Sequence, residues 1–422
     1  MKRVWLLGTA ISALGCQPMT HDDPADLTPV ARAMEAAAYG GGVFTARDIP
    51  GLGGPPMPDV FEAPQTVRMW LRSEGGSASC DGPVIEVELE EYIRNVVPHE
   101  WYASWHEESL MAGATAARSY AAWWVRAGGK YDCADVCDTS FTQNYGDTTH
   151  ERTDTAIRAT AHTFIMDGDA VVFAEYSAEN GDPTEYGVDE PLCAGEELYG
   201  HGRGMCQWGS QRWANDGKDH EWMVDHYYLG ATLLGPLEAE RLDTVYRVAL
   251  EAGETRTVEL SWENLGSMRW RAGEMHLDTT GPEGRASDFS ATWETESRAM
   301  TLESDVRPGD IGLFELTLVA PEVADTTEFS EQFGLYSSEL DDWVAGSGVF
   351  ELSIQVYPLG AEPTVDTGGA GQADTGERSP EALPHRDDKV QEGGCACAHG
   401  ATPPTWGFWV GLLALLRRRD SR

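Results

Sequence analysis

Positive charge is scarce in this chain. Lys and Arg number 30 against 70 Asp and Glu, a formal net charge of −40 over 422 residues. So acidic a surface repels nucleic acid and anionic lipid, which argues against a nucleic-acid function. The acidic residues are spread along the chain and read as a solubility feature rather than an acidic tail. Long apolar runs are missing too. The two best, residues 4–14 and 406–416, fall short of the ~20 residues a stable membrane span needs. No internal repeat is evident, which argues against a solenoid. The glycine-rich stretch at 200–209 is not followed by Gly-Lys-Ser/Thr, so a phosphate-cradling P-loop is excluded. What is present is enough apolar material, 41% of residues, to bury two or three domain cores.

Both ends point to export. Lys2 and Arg3, the short apolar run 4–14 and Gly15-Cys16 form a signal peptide over residues 1–16. It resembles a bacterial lipoprotein signal, which would place an acyl chain on Cys16; an ordinary secretory signal cut nearby is the other reading. Residues 17–65 are rich in Pro and Gly and read as a leader or tether. Residues 359–394 carry Gly, Pro, Thr, Asp and Glu without apolar periodicity, the composition of a flexible linker. Segment 395–422 joins Gly393-Gly394-Cys395, the apolar run 406–416 and Arg417-Arg418-Arg419. It resembles the myxobacterial C-terminal sorting signal, and a plain C-terminal anchor is the other reading. The expected location is the cell envelope or surface, with membrane attachment through a terminus.

Export places the cysteines in an oxidising compartment. Without Cys16, Cys395 and Cys397, five remain: Cys80, Cys133, Cys137, Cys193 and Cys206. Five is odd, so two disulfides and one free thiol is the simplest arithmetic, with connectivity open. Cys133 and Cys137 could form half a metal site, but the compartment favours disulfides.

Residues 66–235 mix helical and strand-like segments. A short helix over 89–97 is ended by Pro98. Ser104-Trp105-His106-Glu107 has the spacing of a capping box. From there Leu110, Ala114, Ala117, Ala121 and Trp124 share one face of a long helix that Gly128-Gly129 stops. Further helices are expected over 151–166, 207–215 and 220–228, and a strand over 170–176. Residues 244–358 instead alternate at period two: Leu316 and Leu318, then Phe350, Leu352, Ile354 and Val356. The expected fold class is an α+β domain followed by an all-β, immunoglobulin-like sandwich. Trp262, Trp270 and Trp293 are read as its core rather than as sugar platforms.

Three clusters could carry chemistry. Glu100 follows Pro98 between two helices, flanked by Val96, Val97, Trp101 and Trp105. Apolar neighbours disfavour a carboxylate, and a carboxyl still protonated near neutral pH is what a general acid requires. Residues 200–209 hold four glycines around His201, which implies tight turns and close backbone approach. Ser177, at a strand end before Asn180-Gly181, lacks a nucleophile-elbow pattern and reads as a binding or structural hydroxyl.

Six motifs in order carry a resemblance. They are Leu89 to Glu100 with its Val96-Val97 pair, LMAGATAARSY over 110–120, and Cys137-Asp138-Thr139-Ser140 with Gln143 and Tyr145. The others are Tyr176 to Thr184, Gly200 to Gly209, and Asp225 to Gly230. Over about 170 residues this resembles the SpoIID/LytB domain, the stage II sporulation protein D or amidase-enhancer family. The resemblance implies a lytic transglycosylase acting on peptidoglycan glycan strands. Glu100 would be the single acid and base, and no cofactor or metal is expected. Arg118, Gln143, Tyr145, Ser177, His201, Gly204 and Gln207 would bind substrate, with helix anchoring as a second role for Arg118. A non-catalytic wall-binding protein that activates a partner amidase is the competing reading. The chain departs from the family at Met111 and Gly113, where lysine and glutamine are usual. It also departs at Phe141 and Thr142, where histidine and cysteine are usual, and in a shortened 184–200 segment.

Overall fold

The computed structural model describes residues 60–75, 80–346 and 348–361, together with Leu27, Thr28 and Ala31. The expected signal peptide with Cys16, most of the tether, the linker beyond 361 and the segment with Cys395 and Cys397 lie outside the described residues. Two hydrophobic cores are built, one from residues between Leu27 and Ala231 and one between Leu237 and Val356. Leu27, Ala31 and Phe61, expected within the tether, are buried in the first core, and the Phe61 ring meets Phe164 edge-on at 4.8 Å.

The first region opens with β1 (Thr66–Trp70) antiparallel to β2 (Val84–Glu88), which leads directly into α1 (Leu89–Glu100). Pro98 does not end this helix. It occupies the last turn, and the Trp101 N–H closes that turn onto the Val97 carbonyl at 2.8 Å. Glu100 is therefore the last helical residue rather than a loop residue.

α2 (Glu107–Arg126) is the central element, and its described neighbours enclose it on every side. Its alanines and Gly113 leave room for close approach, which is why an amphipathic stripe was too modest an expectation. Its cap is His106, not Ser104: the ring Nδ1 accepts the Glu108 N–H at 3.3 Å. The helix ends at Gly128-Gly129 as expected, with positive φ of 87° and 104° that glycine tolerates.

After β3 (Val136–Cys137), parallel to β1, comes α3 (Glu151–Ala159), shorter than expected. His162 breaks the run with φ 54°, and Phe164, Ile165 and Met166 continue as β4 (Phe164–Asp167), paired with β5 (Ala170–Val171). Of the strand expected over 170–176, β5 and the short β6 (Tyr176–Ser177) form. β6 runs parallel to β7 (Met205–Cys206), which opens into α4 (Gln207–Asn215); α5 (His220–Tyr227) and β8 (Thr232–Leu234) follow.

The second region is β-rich, with two sheets around one core. One sheet includes β10 (Arg247–Glu251), β18 (Val349–Tyr357), β15 (Thr327–Ser337), β12 (Met275–Thr279) and β13 (Arg298–Thr301) in that order, with β16 (Asp342–Trp343) also paired to β15. The other runs β14 (Ile311–Val319), β11 (Thr255–Asn264), β9 (Glu238–Arg241), β17 (Ala345–Gly346). Leu316 and Leu318 from one sheet, and Leu352, Ile354 and Val356 from the other, point inward as their alternation predicted. Trp262 and Trp270 are core residues, and Trp293 packs against that core. The regions touch where the Ser267 hydroxyl donates to the His162 carbonyl (2.6 Å) and Arg269 pairs with Glu62 (2.7 Å).

Candidate functional site

The Glu100 carboxyl leaves the last turn of α1 and meets two donors from distant parts of the chain. The Asn144 N–H donates to Oε1 at 2.6 Å. Gln207, the first residue of α4, donates from Nε2 to the Glu100 carbonyl at 2.9 Å and to Oε2 at 3.3 Å. Burial pushes the carboxyl up to about 7, while the Asn144 and Gln207 donors pull it back down. The carbonyl end of α1 is itself electronegative and disfavours a carboxylate further. A carboxyl raised this far can hold a proton near neutral pH and can also take one back.

Beneath Glu100 lies a buried polar layer. Tyr92 donates its hydroxyl to Gln143 Oε1 (3.0 Å), and Gln143 Nε2 donates to the Tyr176 hydroxyl (2.9 Å) and the Ala117 carbonyl (3.1 Å). Burial, with the charge of Glu100 adding to it, holds both phenols well above their usual range, so they stay neutral. Tyr145 stacks on Tyr92 with centroids 5.8 Å apart. The Trp101 ring packs edge-on against Tyr176 at 4.7 Å.

The residues that follow Glu100 and Gln207 build an aromatic wall. Tyr102, Trp105 and Trp208 lie with ring centroids 4.8–5.7 Å apart. Trp105 is 6% exposed, whereas Tyr102 and Trp208 keep 43% and 40% of their surface open. Buried aromatics hold a core together; aromatics held half-open on a buried one offer a face to a ligand.

The loop 200–209 is assembled by short polar contacts. The Ser177 hydroxyl donates to Asn180 Oδ1 (2.6 Å) and accepts the Gly202 N–H (3.1 Å), and Asn180 Nδ2 donates to the Gly204 carbonyl (2.9 Å). Gly204, at φ 66°, lies so close to the Glu175 carbonyl that a Cβ would stand 1.9 Å from its oxygen. Glu175 pairs with Arg203 at 2.8 Å. His201 accepts the Arg203 N–H on Nδ1 (3.0 Å), and burial lowers its pKa to about 4 against the pull of Glu175, so the ring is neutral. This scaffold delivers Gln207 to Glu100.

Several of the expected substrate-binding residues lie inside the protein. Arg118 has no exposed side-chain surface; its guanidinium grips Glu90 at 2.7 and 2.8 Å and also donates to the Thr163 carbonyl. Burial alone would raise the Glu90 carboxyl, but Arg118 and then His162 hold it below its usual value. Arg118 fastens α2 to α1. Gln143 and Ser177 are equally enclosed, with their polar atoms engaged by protein, so they shape the site from behind. Gly204 contributes through its missing side chain. Tyr145 and His201 keep partial exposure.

Asn144 was missed. It acts through its backbone N–H, which every residue but proline supplies, so only its place between Gln143 and Tyr145 could have flagged it. Of the cysteines, Cys80 and Cys133 are joined in a disulfide, and Cys137, Cys193 and Cys206 are thiols. Cys137 is tied to Thr142, whose hydroxyl accepts the Cys137 N–H at 3.0 Å and donates to its carbonyl at 2.7 Å.

Residues 81–166 match the family model described as stage II sporulation protein. The chain carries a SpoIID domain. That family is associated with sporulation and with lytic action on the cell wall. Glu100, Arg118, Gln143 and Tyr145 fall within the matched part of the SpoIID domain; Ser177, His201, Gly204 and Gln207 come after it. No curated protein matches the chain. Among solved structures, a protein of unknown function from Porphyromonas gingivalis is similar at 9% identity. The similarity covers 29% of this chain and 47% of that one, with a TM-score of 0.17. The CARDB domain of a Pyrococcus furiosus protein is similar at 10% identity over 29% of this chain and 93% of that one, TM-score 0.18. The secreted serine protease VesC from Vibrio cholerae is similar at 14% identity over 34% and 26%, TM-score 0.17. At these scores the likenesses carry no argument.

Proposed function

We propose that this protein is a lytic transglycosylase that cleaves peptidoglycan glycan strands, with Glu100 as its single acid and base. The observation that carries the reading is a carboxyl raised to about 7 and aimed by two donors, beside an open aromatic wall. Protonated Glu100 donates to the glycosidic oxygen between N-acetylmuramic acid and N-acetylglucosamine, and the C1–O bond breaks. The muramyl C6 hydroxyl attacks C1 and returns its proton to Glu100. A 1,6-anhydro end and a free sugar hydroxyl result, no water is consumed, and the acid is regenerated. Because the sugar supplies the nucleophile, the second carboxylate of ordinary glycosidases has no task here. The Asn144 N–H and Gln207 stabilise the carboxylate that exists between the two proton transfers.

The test is digestion of purified peptidoglycan and of glycan stripped of its peptides, with mass analysis for anhydro ends. Glu100→Gln keeps the shape of the side chain but has no proton to give, and turnover should fall about 10²–10⁴-fold. A folded Glu100→Gln protein that still produces anhydro ends at the original rate would sink the proposal. If the original protein makes none yet stimulates an added amidase on the same substrate, the activator reading replaces it.

We further propose that the protein is exported and anchored, and that the β-rich region is an immunoglobulin-like spacer between the SpoIID domain and the anchor. Deleting residues 395–422 should release active protein into the medium. Retention at the membrane would transfer the anchor to Cys16.

A further inference from the structure

Among the described residues, two of the three thiols face each other. Cys193 and Cys206 are fully buried, with sulfurs 3.6 Å apart. Cys193 ends the turn Pro191–Cys193, within the shortened 184–200 strap; Cys206 caps the N-terminus of α4. Each sulfur sits in a fixed frame. Cys206 Sγ accepts N–H groups from Asn180 (3.3 Å) and Gly209 (3.1 Å). Cys193 Sγ lies 3.5 Å from Glu190 Oε1 and 2.9 Å from Arg212 Nη1. Glu190, three residues before Cys193, anchors the strap. Its buried carboxylate accepts from Trp213 Nε1 (2.9 Å) and the Tyr227 hydroxyl (3.0 Å) and pairs with His226 (2.9 Å). The chain already holds one disulfide, Cys80–Cys133.

We propose that Cys193 and Cys206 form a second disulfide, which rivets the strap to the N-terminus of α4. A small side-chain rotation takes two sulfurs at 3.6 Å to the ~2 Å of a bond. The step is thiol–disulfide exchange. One thiolate attacks a small-molecule or protein disulfide, R–S–S–R, and expels one thiol; the second thiolate attacks the mixed disulfide and expels the other. Two S–H bonds of the protein are replaced by one S–S bond, and the donor leaves as two R–SH. The exchange occurs as the strap closes during folding, before burial shuts it off. Gln207 follows Cys206 directly, so the rivet also fixes the donor that touches Glu100, although the bond itself does not depend on the transglycosylase reading.

The competing occupant is a metal ion, because Glu179 with the two sulfurs brings three ligand atoms within 4.8 Å of one another. Arg212 argues against it. Its guanidinium lies 2.8 and 2.9 Å from the Glu179 carboxylate and 2.9 Å from Cys193 Sγ, so one cation already neutralises this corner.

The experiment uses the full chain, unfolded, reduced and then refolded in a mixture of oxidised and reduced glutathione. It is then denatured in excess alkylating reagent without reductant, digested, and read by mass spectrometry. The expected product is a peptide pair joined through Cys193 and Cys206, two hydrogens lighter than the sum of its parts, with Cys137 alkylated. Alkylated Cys193 and Cys206 would overturn the proposal, as would native mass spectra showing one zinc per chain without the cross-link. A second measurement needs no mapping. Cys193→Ala, Cys206→Ala and the double variant should each lower Tm by about the same amount, roughly 6–12 °C, because any one of them opens the bond. Losses that add across the two sites would mean that the cysteines act only by packing.

Discussion

In the proposed reaction Glu100 must hold a proton at neutral pH and then tolerate losing it, and its surroundings supply both halves. Burial favours the neutral acid; Gln207 and the Asn144 N–H favour the anion. Gln207→Met removes one donor while keeping the volume. The Glu100 carboxyl should then rise above 7, so the alkaline limb of the pH–rate profile moves to higher pH. The rate at the optimum should drop as well, because the carboxyl is no longer aimed. A profile that keeps its alkaline limb near 7 would mean that Gln207 exerts no electrostatic control. Trp208 would serve a different part of the proposed reaction. If its open face carries a sugar ring, Trp208→Ala should raise KM by about tenfold, on the scale of 1–2 kcal/mol for lost stacking, and leave kcat nearly intact, with Trp208→Phe restoring most of the loss. A fall in kcat at constant KM would instead assign Trp208 to the alignment of Glu100.

At the scale of elements, the decisive contact is α2 against the residue after Glu100. A Cβ on Gly113 would stand 2.5 Å from the Trp101 ring. Alanine is the better helix former by about 1 kcal/mol, yet overpacking costs about 1–3 kcal/mol, so Gly113→Ala should destabilise the SpoIID domain. Denaturant titration reads the sign: a stabilised variant would mean that Trp101 yields freely. The Trp101 indole occupies the space that any side chain at position 113 would need. The apolar face of α2 was legible in the sequence, as were the span of α4 and the alternation of β14 and β18. The end of α3 was not. Phe164, Ile165 and Met166 extend a helical pattern, and only the left-handed backbone at His162, beside the Glu90 carboxylate, turns the chain. Glu100 was legible from its apolar flanks. The pairing of Arg118 with Glu90 was not, because it joins two helices across 28 positions and no local pattern encodes it.

For the whole molecule, the raised carboxyl and the lowered imidazole pull stability in opposite directions. Glu100 binds more protons folded than unfolded between pH 4.5 and about 7, so it lowers stability as pH rises through that window, by about 3 kcal/mol in total. His201 binds fewer protons folded between pH 6.5 and about 4, so its contribution is lost as pH falls through that range. Where the windows overlap the two offset each other. Glu100→Gln removes one side of the balance. Its stability should climb from pH 4 to 6.5 and exceed that of the original protein most clearly at pH 8, by up to about 3 kcal/mol. Parallel urea midpoints for the two proteins across pH 5–8 would contradict this.

The enclosure of α2 also makes it a built-in gauge. Its amide protons have no route to solvent except through the opening of everything packed around them, so their exchange with heavy water should be among the slowest in the chain and should report its global unfolding free energy. Deuterium uptake along α2 would therefore follow the pH dependence described above without any denaturant. Uptake at the exposed first turn of α3 would be set by local opening and should barely respond.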